Sequence, residues 1–220
     1  MKAVVIHHYG GPEVLEYGEF PDPVVGRGDV LVKVAAAAIN PIDIMERSSL
    51  TKDFKPVSFP GVLGWDLSGT VVGVGPDVVG FSIGDRVFAW AYHTYAELCV
   101  VKAGLLAKVP DGLDLVEAAA LPLVTTTGNQ LVSVATEIKA GQTVLVAGAF
   151  GGVGRSAAFT AKELGARVIA GVLKKQFAAA RGLGADQVVA LDDEDALNGH
   201  RHVNELGVGK RLNADHVDFP

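Results

Sequence analysis

The sequence is poor in cysteine: Cys99 is the only one among 220 residues. A single cysteine cannot form a disulfide within the chain, so the composition favours a reducing compartment. Cys99 lies in an apolar run, where a small core residue is far more common than a reactive thiol. The sequence therefore also lacks the cysteine cluster of a structural zinc site.

The sequence likewise lacks a basic stripe, a signal peptide and a long apolar run. Its formal net charge is −6, and no cluster of lysine and arginine predicts nucleic acid as a partner. The N-terminus turns polar too soon for a signal peptide, and no uninterrupted apolar run reaches the ~18 residues of a membrane span. We therefore expect a cytoplasmic protein with neither a membrane nor a nucleic-acid partner.

The composition, 49% apolar and 20% charged, is that of a globular chain large enough for two modest domains. Residues 1 to about 118 are rich in short strand patterns separated by glycine and proline turns. Within Asp29–Ala36, valines at every second position show the period of a half-buried strand. Regularly spaced short strands predict a small barrel. The predicted strands are Lys2–Ile6, Val14–Phe20, Asp29–Ala36, Gly69–Val74, Asp85–Trp90, Tyr95–Val101 and Leu105–Val109.

The most informative segment is a glycine-rich turn between a strand and a helix. The apolar strand Val144–Ala147 is followed by glycines at 148, 151, 152 and 154, and then by helical apolar spacing up to Leu164. Gly165 lies where a helix C-terminal glycine is expected, and a second apolar strand covers Arg167–Val172. A strand, glycine turn, helix and strand within about 30 residues predict a dinucleotide site.

A diphosphate needs backbone N–H groups, the positive end of a helix dipole and room for close approach of the backbone. Gly151 and Gly154 occupy the second and third positions of G-x-G-x-x-G, and Ala149 stands at the first. The alternative is a tight strand-to-helix turn that binds nothing. The predicted cofactor-binding residues here are Ala149, Phe150, Gly151, Gly152, Val153 and Gly154.

The end of the second strand predicts which dinucleotide binds. An NAD site usually places an acidic residue there, but this strand ends in Val172 and Leu173, and Lys174 and Lys175 follow. Two ammonium groups attract a 2′-phosphate, which favours NADP(H). The alternative is a solvated lysine pair that opens the next helix.

The C-terminal part supplies few further elements. Helical signals begin near Asp114 and recur over Thr125–Ala135, and a third strand is predicted at Gln187–Leu191. Residues 192–220 are polar and contain scattered histidines, which are more often solvated than metal-binding. A six-stranded doubly wound sheet needs three more strands than this, so we expect a partial nucleotide domain: either the chain is a fragment or its tail is aberrant.

Several motifs together resemble the zinc-independent quinone oxidoreductases of the medium-chain dehydrogenase/reductase superfamily. The resemblance implies an α/β protein: a GroES-like β-barrel catalytic domain (1–118), a partial, doubly wound Rossmann NADP-binding domain (119–192) and an atypical polar tail (193–220). It implies NADPH-dependent reduction of quinones or α,β-unsaturated carbonyls, and assembly as a homodimer or a tetramer. The motifs are Tyr9–Leu15, Ala38–Asp43, Pro60–Gly69, Val74–Gly75, Gly84–Val87 and Gly148–Gly154.

The zinc-containing branch of the superfamily differs at the expected ligand positions. It has a cysteine where this chain has Asn40, and Gly-His-Glu where this chain has Gly64, Trp65 and Asp66. A catalytic zinc needs about three Cys, His or carboxylate ligands, which Asn40 and Trp65 cannot supply. We expect no bound metal.

Without zinc, another group must contact the substrate oxygen. Asn40 is the first candidate because its amide can donate to a carbonyl, and Asp43 can orient it or a water. The same residues also fit a plain helix start, with Asn as N-cap and Asp in the first turn. The resemblance places Thr127 at the nicotinamide end of the cofactor, although three consecutive threonines can also cap a helix. Met45 stands where many members have a tyrosine.

Two functions are consistent with these features. The first is an NADPH-dependent oxidoreductase that transfers hydride to a quinone or an α,β-unsaturated carbonyl. The second is a non-catalytic dinucleotide-binding protein, a sensor, structural or truncated inactive relative, which the short C-terminal half favours.

Overall fold

The computed structural model describes residues 1–193. The chain divides into two compact units, of which the first is Met1–Thr126 and the second begins at Thr127. The domain boundary expected at residue 118 lies earlier in the chain than this division, at the end of the short helix Leu115–Ala118. Apart from residue 193, the predicted polar tail lies outside the described residues.

The first unit is built from antiparallel strands in two sheets. One sheet has the order β2-β1-β4 and the other β7-β3-β5-β6-β8. All seven predicted strands are present, and one strand, β4, was missed. The bounds are β1 Lys2–Ile6, β2 Glu16–Glu19, β3 Asp29–Ala38, β4 Gly61–Val62, β5 Asp66–Val74, β6 Arg86–Trp90, β7 Leu98–Lys102 and β8 Leu106–Lys108.

The strand β3 shows how the alternating pattern makes the core of this unit. Val30 and Val32 are fully buried between the neighbouring strands, whereas Lys33 is exposed. Val32 pairs with Cys99 of β7, and Cys99 is 3% exposed in the same core. The expectation that Cys99 is a small core residue is confirmed.

Three α-helices follow or connect these strands. Helix α1 is Pro41–Arg47, α2 is Leu115–Ala118 and α3 is Pro122–Gln130. Helix α3 continues as a π-helical segment, Leu131–Ala135, so the helix predicted over Thr125–Ala135 exists but begins earlier. Its start at residue 122 follows the preference for proline in the first turn.

The second unit contains a parallel sheet with a helix between its first two strands. Its described part holds β9 Thr143–Ala147, α4 Gly152–Glu163, β10 Arg167–Val172, α5 Phe177–Ala180 and β11 Gln187–Ala190. Strand β10 lies between β9 and β11 and is parallel to both. Helix α4 buries Ala157, Ala158 and Ala161, and Gly165 ends it with a φ of +78°. The predicted Rossmann-like strand–helix–strand unit is confirmed, within an α/β fold.

None of the helices in residues 1–193 has the length and apolarity needed to cross a membrane.

Candidate functional site

Helix α1 begins at Asn40, as the sequence predicts. Asn40 has the extended backbone of an N-cap, with φ −119° and ψ 158°, and Pro41 is the first helical residue. The Asp43 carboxylate accepts the backbone N–H of Asn40, with an N···Oδ2 distance of 2.6 Å. Asn40 and Asp43 therefore form a capping box, which concerns the side-chain oxygen of Asn40 and leaves its Nδ2 group able to donate to another partner.

That partner is Asp66, the first residue of β5. The Nδ2 group of Asn40 donates to Oδ2 of Asp66 over 2.9 Å, and Oδ1 of Asp66 accepts the backbone N–H of Leu123 over 2.7 Å. Asp66 is completely buried and Asn40 is 7% exposed. One carboxylate thus joins the start of α1, the start of β5 and the first turn of α3.

The electrostatics of this cluster raise the pKa of both carboxyl groups. Burial raises the pKa of Asp66 to about 6, against the hydrogen bonds from Asn40 and Leu123 and with the help of the nearby Asp43 charge. Burial also raises the pKa of Asp43, whose Oδ1 has no hydrogen-bond partner within the described part of the chain. The Tyr95 hydroxyl lies beside Asp43, and burial together with that charge raises its pKa.

Sequence reasoning missed a second group of side chains, which we call the lysine–aromatic cluster: Glu46, Lys55, Trp65 and Tyr92. Lys55 Nζ lies 2.6 Å from Oε1 of Glu46, 3.5 Å from the centre of the Trp65 ring and 3.8 Å from that of Tyr92. Oε2 of Glu46 accepts the Trp65 indole N–H over 2.7 Å. Burial lowers the pKa of Lys55, although the Glu46 carboxylate opposes this. The four residues come from separate segments, so no sequence pattern connects them.

The predicted phosphate-binding turn connects β9 to α4. Gly148 has a φ of +69°, and Gly151 is the N-cap of α4. A Cβ at Gly154 would lie 2.8 Å from Ala149 Cα and closer still to the Gly148 carbonyl oxygen, so only glycine fits there. A Cβ at Gly148 would meet no atom within 4 Å. The turn therefore combines close helix–turn packing at Gly154 with open space at Gly148.

The amides of this turn divide into two groups. The N–H of Ala149 donates to Gly171, and the N–H of Gly151 donates to Gly148. The N–H groups of Gly152, Val153 and Gly154 open helix α4, where the backbone offers no intrahelical acceptor. The first turn of α4 is therefore where an anion would find donors, whereas Ala149 and Gly151 shape the turn.

Three further predicted cofactor residues lie on neighbouring elements. Thr127 lies on α3 beside Gly128, whose Cβ would be 2.7 Å from the backbone nitrogen of Ala157 in α4, so the two helices are in close contact here. Lys174 and Lys175 follow β10 in a 3₁₀ turn. Lys174 is already paired, with its Nζ 2.8 Å from Asp193, and this hydrogen bond raises its pKa.

In residues 1–193, no group of three or more His, Cys, Asp or Glu side chains is placed to hold a metal ion. His93 is exposed, and its Nδ1 lies 2.8 Å from the carbonyl oxygen of Val62. Met45, at the position where a tyrosine is common, is 39% exposed.

Comparison with known proteins gives a consistent family. The profile of the family "Alcohol dehydrogenase GroES-like domain" matches residues 26–111. A quinone oxidoreductase of Pseudomonas aeruginosa is 37% identical over 96% of this chain, and a chloroplastic NADPH-dependent alkenal/one oxidoreductase of Arabidopsis thaliana is 34% identical over 89%. A solved mycobacterial structure complexed with NADPH covers 93% of this chain and 64% of its own, with 35% identity and a TM-score of 0.76.

The chain is shorter than these relatives: it spans 64% of the Pseudomonas protein and 53% of the Arabidopsis protein. Over that span the likeness in sequence and in fold includes both units. The chain belongs to the quinone oxidoreductase family of the medium-chain dehydrogenase/reductase superfamily.

Proposed function

We propose that this chain is an NADPH-dependent oxidoreductase that reduces a quinone or an α,β-unsaturated carbonyl without zinc. The observation that carries the proposal is the turn at Gly148–Gly154, where only glycine fits at the helix contact at Gly154 and a Cβ at Gly148 would meet no atom within 4 Å. The relatives described as quinone and alkenal/one oxidoreductases support the same reaction class.

The residues present fit a bound dinucleotide. The N–H groups of Gly152, Val153 and Gly154 would hold the pyrophosphate, and Ala149, Phe150 and Gly151 would shape the turn around it. Thr127 would contact the nicotinamide end. A bound NADPH supplies a hydride from its nicotinamide ring, and the relative complexed with NADPH supports this cofactor.

The preference for NADPH over NADH would come from the lysine pair after β10. Lys174 shares its charge with Asp193, which competes with a phosphate. Lys175 is exposed and would therefore contribute more of the attraction to the 2′-phosphate.

In the first unit, the chain's own groups would act on the acceptor. When hydride reaches a carbon of a quinone or enone, negative charge develops on the carbonyl oxygen, and that oxygen then takes a proton from water. The Asn40 amide has two hydrogens, of which one is donated to Asp66. The second can donate to the developing oxyanion, while Asp43 holds the backbone of Asn40 in place.

A second candidate function is dinucleotide binding without turnover. The glycine turn and the lysine pair, which would bind the dinucleotide, lie in the second unit, whereas Asn40 lies in the first, so dinucleotide binding does not by itself require hydride transfer. The predicted homodimer and cytoplasmic location remain predictions under either function.

One assay separates the two functions. Purified chain is mixed with NADPH and either 1,4-benzoquinone or a short enone, and NADPH absorbance is followed. We expect oxidation, with kcat reduced about 100-fold in Asn40→Ala because one oxyanion donor is lost. The matched control is Asn129→Ala, on an exposed position of α3. Saturable NADPH binding without any oxidation would instead establish the non-catalytic function.

A further inference from the structure

Each of the two carboxylate oxygens of Asp66 accepts one hydrogen bond, and the two donors belong to different elements of the fold. One is the Asn40 side-chain amide and the other is the Leu123 backbone N–H in the first turn of α3. The carboxylate itself is fully buried and fixed by the strand register, in which Asp66 pairs with Trp90. Its position is therefore set by the sheet, and the two donors are positioned against it.

Only an ionised carboxylate can satisfy this arrangement. A carboxylate accepts at both oxygens, whereas a carboxamide or a protonated carboxyl has one acceptor side and one donor side. Either replacement would direct a hydrogen at Asn40 or at Leu123, which are themselves donors. One of the two hydrogen bonds would be lost.

The consequence for Asn40 is an oriented amide. A side-chain amide that has no fixed partner can turn over and exchange its oxygen with its nitrogen. The bond to Asp66 keeps the nitrogen of Asn40 on a known side and leaves its second N–H in a defined direction. The hydrogen bond from Leu123 to Asp66 likewise fixes the start of α3. Thr127 lies on the same helix, about one turn further on.

We propose that Asp66 is a positioning residue, whose carboxylate orients the Asn40 amide and the start of α3 for the reduction. This inference rests on the proposed function for its catalytic consequence, but the geometry that it assigns can be tested without turnover.

The charged surroundings make the arrangement sensitive to pH. Asp43 and Glu46 lie on α1, Lys55 lies beside Glu46, and the Tyr95 hydroxyl lies near both Asp43 and Asp66. Burial raises the pKa of Asp66 to about 6. Below that pH a proton occupies one oxygen, and Asp66 loses one of its two acceptor positions.

The direct test is the NMR signal of the Asn40 side-chain amide in protein labelled with ¹⁵N-asparagine. The signal is assigned by its absence in Asn40→Ser. In the wild type we expect it to shift with pH around a midpoint near 6, and in Asp66→Asn we expect a displaced signal that does not titrate in this range. The control Asp114→Asn changes a capping carboxylate of α2 and leaves the titration intact.

Kinetics provide the second readout. We expect kcat of the wild type to rise through the same midpoint, and that of Asp66→Asn to be about tenfold lower and independent of pH in this range. A wild-type Asn40 signal that does not move between pH 5 and 7 would overturn the proposal, even if Asp66→Asn fails to fold. A titrating signal in a chain that does not oxidise NADPH would reject the proposed function and leave the positioning role in place.

Discussion

Replacing Gly154 by alanine tests the packing of the glycine turn most sharply. The added Cβ would lie 2.8 Å from both Ala149 Cα and the Gly148 carbonyl carbon. These are backbone atoms, so no side chain can rotate away. Overpacking of this kind costs up to about 3 kcal/mol, and the gain in helix propensity from Gly to Ala returns about 1 kcal/mol. We therefore expect Gly154→Ala to lose about 2 kcal/mol of unfolding free energy.

The matched control is Gly182→Ala in the same unit. A Cβ there would meet no atom within 4 Å, and the position has no left-handed backbone. This variant should gain about 0.5 kcal/mol, because alanine restricts the unfolded chain. The two alanine substitutions should thus change stability in opposite directions.

The assay must report on the second unit. Both tryptophans, Trp65 and Trp90, lie in the first unit, so their fluorescence follows that unit alone. Urea unfolding followed by circular dichroism, together with hydrogen exchange of α4, reports on the glycine turn and its helix. The reasoning is refuted if Gly154→Ala is as stable as the wild type and its α4 amides are equally protected from hydrogen exchange.

Three further outcomes are expected. Lys55→Met leaves the buried Glu46 without its counter-ion and should lower the free energy of unfolding by about 2 kcal/mol, less than for a fully buried pair because Lys55 is partly exposed. The fluorescence emission of Trp65 should shift as well. Unchanged emission and unchanged stability would contradict the lysine–aromatic cluster. Burial raises the pKa of Cys99 to about 12, so a thiol reagent should label it at neutral pH only after denaturation, and rapid labelling of folded protein would contradict its burial. Asp66 has a folded pKa raised above its unfolded value, so its contribution to stability is fully present below about pH 4 and is lost as pH rises through about 6. The free energy of unfolding of the wild type relative to Asp66→Asn should therefore be greater at low pH than at neutral pH, by up to about 3 kcal/mol. A difference between the two proteins that does not change with pH would contradict this.

The second unit shows what local sequence can predict. The strand Arg167–Val172 was predicted with the bounds that the structure has, and the turn and helix before it were also found. These elements follow from hydrophobic periodicity and from glycines whose role is local. The third strand, Gln187–Ala190, ends one residue before the predicted position.

The first unit shows where such reasoning stops. The strand patterns were visible, but the pairing of β3 with both β5 and β7 depends on residues far apart in the sequence. Strand β5 begins at Asp66 rather than at the predicted Gly69, because Asp66 pairs with Trp90. The two strands that pair here, β5 and β6, were predicted separately, and no local sequence pattern indicates that they pair.

The candidate site was predictable in its residues more than in its contacts. Asn40 and Asp43 were chosen as a polar pair at a helix start, and the structure places them together. The bond from Asn40 to Asp66 and the pairing of Lys174 with Asp193 are tertiary contacts that no spacing rule indicates. The lysine–aromatic cluster is missed for the same reason.

The central claim is that the turn from Gly148 to Gly154 binds the pyrophosphate of a dinucleotide. Isothermal titration calorimetry of the folded chain with NADPH tests it most directly. The account predicts saturable binding near one site per chain, with a dissociation constant below about 1 mM. Gly154→Ala should bind NADPH more weakly than Gly182→Ala does. A well-folded chain that releases or takes up no binding heat with either NADPH or NADH up to about that concentration would contradict the claim.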